Sequence, residues 1–172
     1  MVQDLNLVSQ LEYEMQPLQK QPVRLSKLLR SLVAELLNEG IDEKYSIEVN
    51  VSNEAETVEI AGDARLISRA IRNLLHNSIN HNPEGCEIFL LLDCSDQYVT
   101  ITVTDTGIGI SEEKMRELQE IPHYMNSTDE RLDLRHGLGL ILVRQIADAH
   151  GGSVQFDSNY KKGCRVILSL RR

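Results

Sequence analysis

The sequence predicts an α/β two-layer sandwich: a mixed, mostly antiparallel sheet with helices on one face. Stretches with apolar residues at helical spacing and stretches of alternating apolar residues succeed one another without the strict βα repeat of a parallel fold. Two pairs of alternating stretches, 86–94 with 98–105 and 153–158 with 164–170, flank polar turns and read as hairpins. The chain has 172 residues, 41% hydrophobic and 26% charged, enough for one core under a polar surface.

Each element has its own signal. Residues 1–15 carry Leu5, Val8, Leu11 and Met15 at helical spacing, and "MQPLQKQPV" follows with two prolines as a linker. A helix is expected over 25–38, with Leu28, Leu29, Leu32, Val33, Leu36 and Leu37 as its stripe and Gly40 as its left-handed cap. "YSIEVNV" (45–51) and "TVEIA" (57–61) alternate as strands. Asp63 caps a helix running to His81, where Asn82-Pro83 stops it. After the first hairpin, Ser111 with Glu112 and Glu113 opens a short helix over 111–120. Residues 121–136 lack periodicity, and a loop of that length in a compact domain is usually functional. A helix over 138–150 ends at Gly151-Gly152, before the last hairpin.

Charge and composition exclude several classes. With 18 basic against 26 acidic residues the net charge is −8, which argues against nucleic acid as the main partner. An anionic ligand would therefore need local backbone donors. The longest apolar run, "IFLLL" at 88–92, is too short to span a membrane, and no signal-peptide pattern opens the chain. Cys86, Cys94 and Cys164 form no CxxC pair and read as small buried hydrophobes in a reducing compartment, without a metal site.

Three stretches carry candidate chemistry. On the helix over 63–81, Asn73 and Asn77 share a face, and Asn80 and His81 extend the polar stripe by a turn. Asparagine is a poor helix former, so the stripe is either a solvated face or a set of neutral oxygen ligands for a hard, phosphate-bound cation. In "VTDTGIGI" (103–110), Asp105 ends a strand where a carboxylate can accept from the exocyclic amine of adenine, and Gly107 and Gly109 let the backbone pass close to a base. In "HGLGLILVRQIADAHGG" (136–152), Gly137 and Gly139 precede a helix, where open N–H groups and the helix dipole suit phosphate; close helix–sheet packing also favours glycine.

In this order, "NLLHNSINHN", "DTGIGI" and "HGLGLILV" make residues 23 to 172 resemble the ATP-binding domain of sensor histidine kinases, within the gyrase, Hsp90, MutL and histidine kinase ATPase superfamily. The resemblance implies a Bergerat ATP-binding fold holding Mg²⁺ and ATP under a lid at 121–136. It makes Asn77 the Mg²⁺ ligand, with Asn73 its neighbour and fellow candidate catalytic residue, and Asp105 the adenine acceptor. Gly107, Gly109 and Ile110 would lie along the base, Gly137 and Gly139 at the phosphates, and Arg131 and Arg135 would be lid cations. Asn80, His81, His136, Leu138 and Leu140 complete the implied nucleotide contacts. The chain departs from the family at Arg135, where a third glycine is common, at Asn80, where lysine is common, and at "IPHYMNS", which stands for an aromatic-rich block.

Relatives of gyrase that hydrolyse ATP have a glutamate base four residues before the metal asparagine; that position is Asn73, whose amide cannot accept a proton. This suits a kinase, in which phosphoryl transfer rests on positioning and charge neutralisation. No histidine precedes Glu or Asp, as the family's acceptor histidine does. Residues 1–22 are thus expected to be the tail of a dimerisation and phosphoacceptor hairpin plus linker, with the acceptor upstream and a response regulator as indirect partner. The expected fragment is monomeric and cytoplasmic, from a parent kinase that can be anchored in a membrane. His76 and His81 read as solvated, His136 as lid-exposed and His150 as a helix C-terminal residue facing the dipole. An anti-sigma-type serine kinase and a nucleotide-binding pseudokinase module are the rival readings.

Overall fold

The computed structural model describes residues 18–119 and 134–172; the side chains of 134–139 lie outside that description. Its elements are β1 (Gln21–Arg24), α1 (Leu25–Glu39), β2 (Tyr45–Val51), β3 (Glu59–Gly62), α2 (Ala64–His81), β4 (Cys86–Cys94), β5 (Tyr98–Asp105), α3 (Glu112–Gln119), α4 (Leu134–Ala149), β6 (Ser153–Phe156) and β7 (Cys164–Arg171).

Five strands form one sheet in the order β2-β4-β5-β7-β6, with β2 parallel to β4 and every other pairing antiparallel. Alternation decides its faces. Ile88, Leu90 and Leu92 on β4, Val99 and Ile101 on β5, and Leu168 and Leu170 on β7 are buried beneath α1, α2 and α4. The opposite face carries Glu87, Leu91, Thr100 and Thr102, and Leu91 is 43% exposed. The predicted two-layer sandwich is therefore the observed one.

Helix α2 is central because its apolar stripe is complete. Leu66, Ile67, Ala70, Ile71, Leu74 and Leu75 are all buried, and truncating one of the larger ones to alanine costs about 2–5 kcal/mol in such a core. Asp63 caps it as expected, accepting from the backbone N–H of Arg65 at 3.1 Å and Leu66 at 3.4 Å, worth about 1 kcal/mol. Gly40 and Gly151 end α1 and α4 with φ of 92° and 69°, the left-handed caps expected there.

Three expectations shift, and two others lie outside the described residues. The end of the supposed linker is strand β1, an edge strand pairing Pro22 with Ala61; a proline is tolerated there because no further strand needs its missing N–H. Helix α4 starts at Leu134 rather than 138, so Gly137 and Gly139 fall within its first two turns. Leu37, assigned to the stripe of α1, is 51% exposed, while Leu25 and Ser26 are buried in its place. The expected helix over 1–15 and most of the loop over 121–136 lie outside the described residues.

His150 does more than face a dipole. Its Nδ1 lies 2.7 Å from the Ile146 carbonyl, and its Nε2 accepts from the Asp63 N–H at 3.0 Å. The ring is therefore the neutral Nδ1–H tautomer, buried between the end of α4 and the start of α2. It locks together the two helices whose far ends border the cleft.

Candidate functional site

Strand β5 is the middle strand, and its last residue, Asp105, pairs with Ile88 on one side and Cys164 on the other. The carboxylate is 3% exposed. Its Oδ1 accepts from the Gly107 N–H and the Cys164 N–H, each at 3.1 Å. Those are its side-chain hydrogen bonds among the described residues, and Oδ2 takes part in neither. The Tyr160 hydroxyl donates to the Asp105 carbonyl at 3.4 Å. The Arg165 guanidinium stacks 4.2 Å from the Tyr160 ring, and its Nε donates to Thr104 Oγ1 at 3.1 Å.

Asp105 opens into a cleft enclosing about 450 Å³ of empty space, solvent at its mouth included. Its apolar wall is Leu74, Leu118, Leu140, Phe156 and Val166, and its polar groups come from Asn77, Ser78, His81, Asn82 and Asp105. An apolar slot with one carboxylate at its floor suits a flat heteroaromatic base that carries an amine.

Of the predicted residues, Asn77, His81, Asp105, Gly109, Ile110 and Leu140 meet in this cleft. Asn77 is half-buried there, with no hydrogen bond among the described residues. Asn73 lies one turn earlier and Asn80 is exposed; neither lines the cleft. His76 is exposed as expected, whereas His81, also expected in solvent, is half-buried against the cleft. Arg131 falls outside the described residues, as do the side chains of Arg135, His136 and Leu138; Gly137 and Gly139 are placed as α4 backbone.

Gly107 has a different reason to be glycine from the one expected. It does not line the cleft, and a Cβ there would stand 1.8 Å from Asn82 Oδ1. The missing side chain admits Asn82, not a base. Gly109 adopts φ 75°, which favours glycine.

Sequence reasoning also missed Asn82, Cys164, Phe156 and Val166. By sequence Asn82 is a helix stop, Cys164 a small buried hydrophobe, and Phe156 and Val166 apolar positions of the last hairpin. The Cys164 thiol is pushed up to about 12 by burial and, secondarily, by the Asp105 charge. Burial and the same carboxylate raise Cys86, an effect its contact with Asn82 softens. Both thiols thus stay neutral beside Asp105. On the far wall, Arg144 Nη2 donates to the Leu118 carbonyl at 2.6 Å, tying α3 to α4, and burial lowers the pKa of this guanidinium.

The same architecture recurs in solved structures. The catalytic domain of the histidine kinase ThkA superposes with a TM-score of 0.72 at 21% identity, covering 89% of this chain and 95% of that one. The ATP-binding domain of PrrB from Mycobacterium tuberculosis gives 0.68 at 22% identity, covering 88% and 96%. These likenesses define the fold class, that of histidine kinase catalytic domains. The sequence goes further: the profile of the histidine kinase-, DNA gyrase B-, and HSP90-like ATPase family matches residues 62–172, and the chain belongs to that family. Sporulation kinase B of Bacillus subtilis is 33% identical over 130 residues, which are 73% of this chain and 29% of the relative. Sensor histidine kinase YvrG of the same species is 26% identical over 172 residues, all of this chain and 29% of the relative. The chain thus spans under a third of the length of these relatives.

Proposed function

We propose that this chain is the ATP-binding catalytic domain of a sensor histidine kinase. In this reading it holds Mg²⁺ and ATP and presents the γ-phosphate to a histidine on a dimerisation hairpin, for relay to a response regulator. The observation that carries the reading is the division of labour on Asp105, which lines an apolar cleft: Oδ1 is held by two backbone N–H groups, and Oδ2 makes no hydrogen bond among the described residues. An acceptor fixed in this way takes a hydrogen bond from the 6-amino group of adenine and opposes the 6-carbonyl of guanine.

The side chains fit the remaining groups. Asn77 offers a neutral amide oxygen to the cleft, and among the described residues no cluster of three or more His, Cys, Asp or Glu side chains could hold a metal. A cation at Asn77 would draw its other ligands from phosphates and water, as Mg²⁺ does in nucleotide sites. When bound it would neutralise phosphate charge. Asn73, one turn away, has no proton-accepting group to activate water, which favours transfer to a protein acceptor over hydrolysis. The cleft is at work on the cytoplasmic side in this reading, and no described helix is long and apolar enough to cross a membrane.

Calorimetric titration of ATP, GTP and ADP with and without Mg²⁺ tests the nucleotide site. Magnesium-assisted ATP binding with GTP rejected is expected, and absence of ATP binding at millimolar concentration would remove the proposal. Transfer from labelled ATP to a supplied acceptor hairpin tests the kinase step. An acid-labile product is expected, and an acid-stable one would favour the serine kinase.

A further inference from the structure

Asn82 ends α2 but is bonded as a joint. It is 3% exposed, and its backbone is pinned by three contacts. Its N–H donates to the Ile79 carbonyl at 3.2 Å, and its carbonyl accepts from the Gly85 N–H at 2.9 Å and the Tyr45 hydroxyl at 2.8 Å. The side chain then spans two elements: Nδ2 donates to the Ser78 carbonyl at 2.8 Å, and Oδ1 accepts from the Ile108 N–H at 2.9 Å. One end meets an acceptor and the other a donor, so the amide has a single workable orientation.

At the base of the turn it reaches, Thr106 is tied to Glu87, its N–H donating to the Glu87 carbonyl and its Oγ1 accepting from the Glu87 N–H, each at 3.0 Å; beyond Thr106 the tip has little else to hold it. The Ile108 side chain is 81% exposed and gives no apolar anchor. Two consecutive backbone donors fix the turn instead, Gly107 N–H to Asp105 Oδ1 and Ile108 N–H to Asn82 Oδ1. They are coupled through the peptide between them. If the Ile108 bond is lost the turn can lift, and the Gly107 bond that holds the carboxylate goes with it.

We infer that Asn82 is a positioning residue for base recognition: by holding the Gly107–Gly109 turn down, it keeps Asp105 Oδ1 occupied by backbone and Oδ2 directed at a purine 6-amino group. The inference rests on the nucleotide function proposed for the cleft. Asn82 borders the cleft, but its two polar side-chain atoms are already bonded, so it acts through Asp105 rather than on the ligand.

The test titrates the whole chain with ATP and with purine riboside triphosphate, which lacks the 6-amine, in wild type, Asn82→Ala and Asn82→Leu. Leucine fills the same space with neither bond, so it serves if the alanine variant fails to fold. A folded variant is expected to lose about tenfold in ATP affinity, the scale of one hydrogen bond to a charged acceptor, and to keep its affinity for purine riboside triphosphate within about twofold. Amide exchange at Ile108 should accelerate in the same variants. Equal losses for both ligands, or none for ATP, would leave Asn82 a structural residue and overturn the inference alone. A wild type that binds no ATP would remove the nucleotide reading and this inference together, whereas one that binds the two ligands equally would overturn recognition of the 6-amine at Asp105 and with it this inference, leaving nucleotide binding standing.

Discussion

Asn77 and Asn82 are five residues apart at the same end of α2, and the fold gives the same side chain opposite uses. Asn82 is buried, and both ends of its amide are spent on the carbonyl of Ser78 and the N–H of Ile108. Asn77 is half-buried against the cleft, with no bond among the described residues. An amide surrounded by unpaired backbone groups becomes part of the frame, because leaving those groups unsatisfied costs about 1–3 kcal/mol each. An amide on a regular helical turn, where the backbone already bonds to itself, keeps its oxygen for a ligand. In the proposed nucleotide reading, the Asp105 end of the cleft is therefore built before a ligand arrives, while the Asn77 amide is left to one.

The most severe way to break this contrast is at the carboxylate that the frame serves. Asp105→Ala removes the ligand acceptor and orphans the N–H groups of Gly107 and Cys164, and ATP affinity measured by calorimetry should fall by about a hundredfold or more. Gly107→Ala attacks the frame directly. The new Cβ displaces Asn82, and chemical denaturation should show a loss of about 1–3 kcal/mol, the usual cost of overpacking. Combining it with Asn82→Ala should cost less than the two losses added, since residues in contact are coupled.

Asn77→Ala sharpens the contrast from the other side. Magnesium-dependent ATP affinity should fall about tenfold, with Tm unchanged within about 1 °C, because no folded-state bond is lost among the described residues. A large fall in Tm would place Asn77 in the frame after all. Cys164 reports on the base end without any substitution. A thiol pushed up to about 12 remains protonated at neutral pH, so alkylation followed by mass spectrometry should be slow at pH 8 and climb only as pH approaches that value. Bound ATP should slow it further. The smallest effect is expected far from the cleft: Arg30→Ala breaks a bidentate pair with Glu56 on the exposed surface, and the melting curve should barely move.

Much of this molecule was legible before its fold was known. Helix α2 with its Asp63 cap, the strands of both hairpins and the caps at Gly40 and Gly151 each follow from local chemistry, and local chemistry is written in consecutive residues. Asp105 was legible only in company: a carboxylate and two spaced glycines after a strand are common turn chemistry, and it was the order of the asparagine-rich helix, this turn and the Gly-Leu-Gly helix start that singled it out. β1 was hidden by Pro22, since nothing in residues 16–23 announces that β3 will supply a partner for an edge strand.

What the sequence by itself determined is thus the inventory: the helices and most of the strands, the family, and three of the polar side chains that line the cleft, Asn77, His81 and Asp105. Only the tertiary structure decided how those side chains divide between ligand and frame. Asn82 and Ile108 are 26 residues apart, and Asp105 and Cys164 are 59 apart. No periodicity connects such positions; the register of β4, β5 and β7 does. Because a hydrogen bond acts over about 3 Å, Asn77 and Asn82 could be told apart only once the sheet had brought the turn at Gly107 down onto one of them.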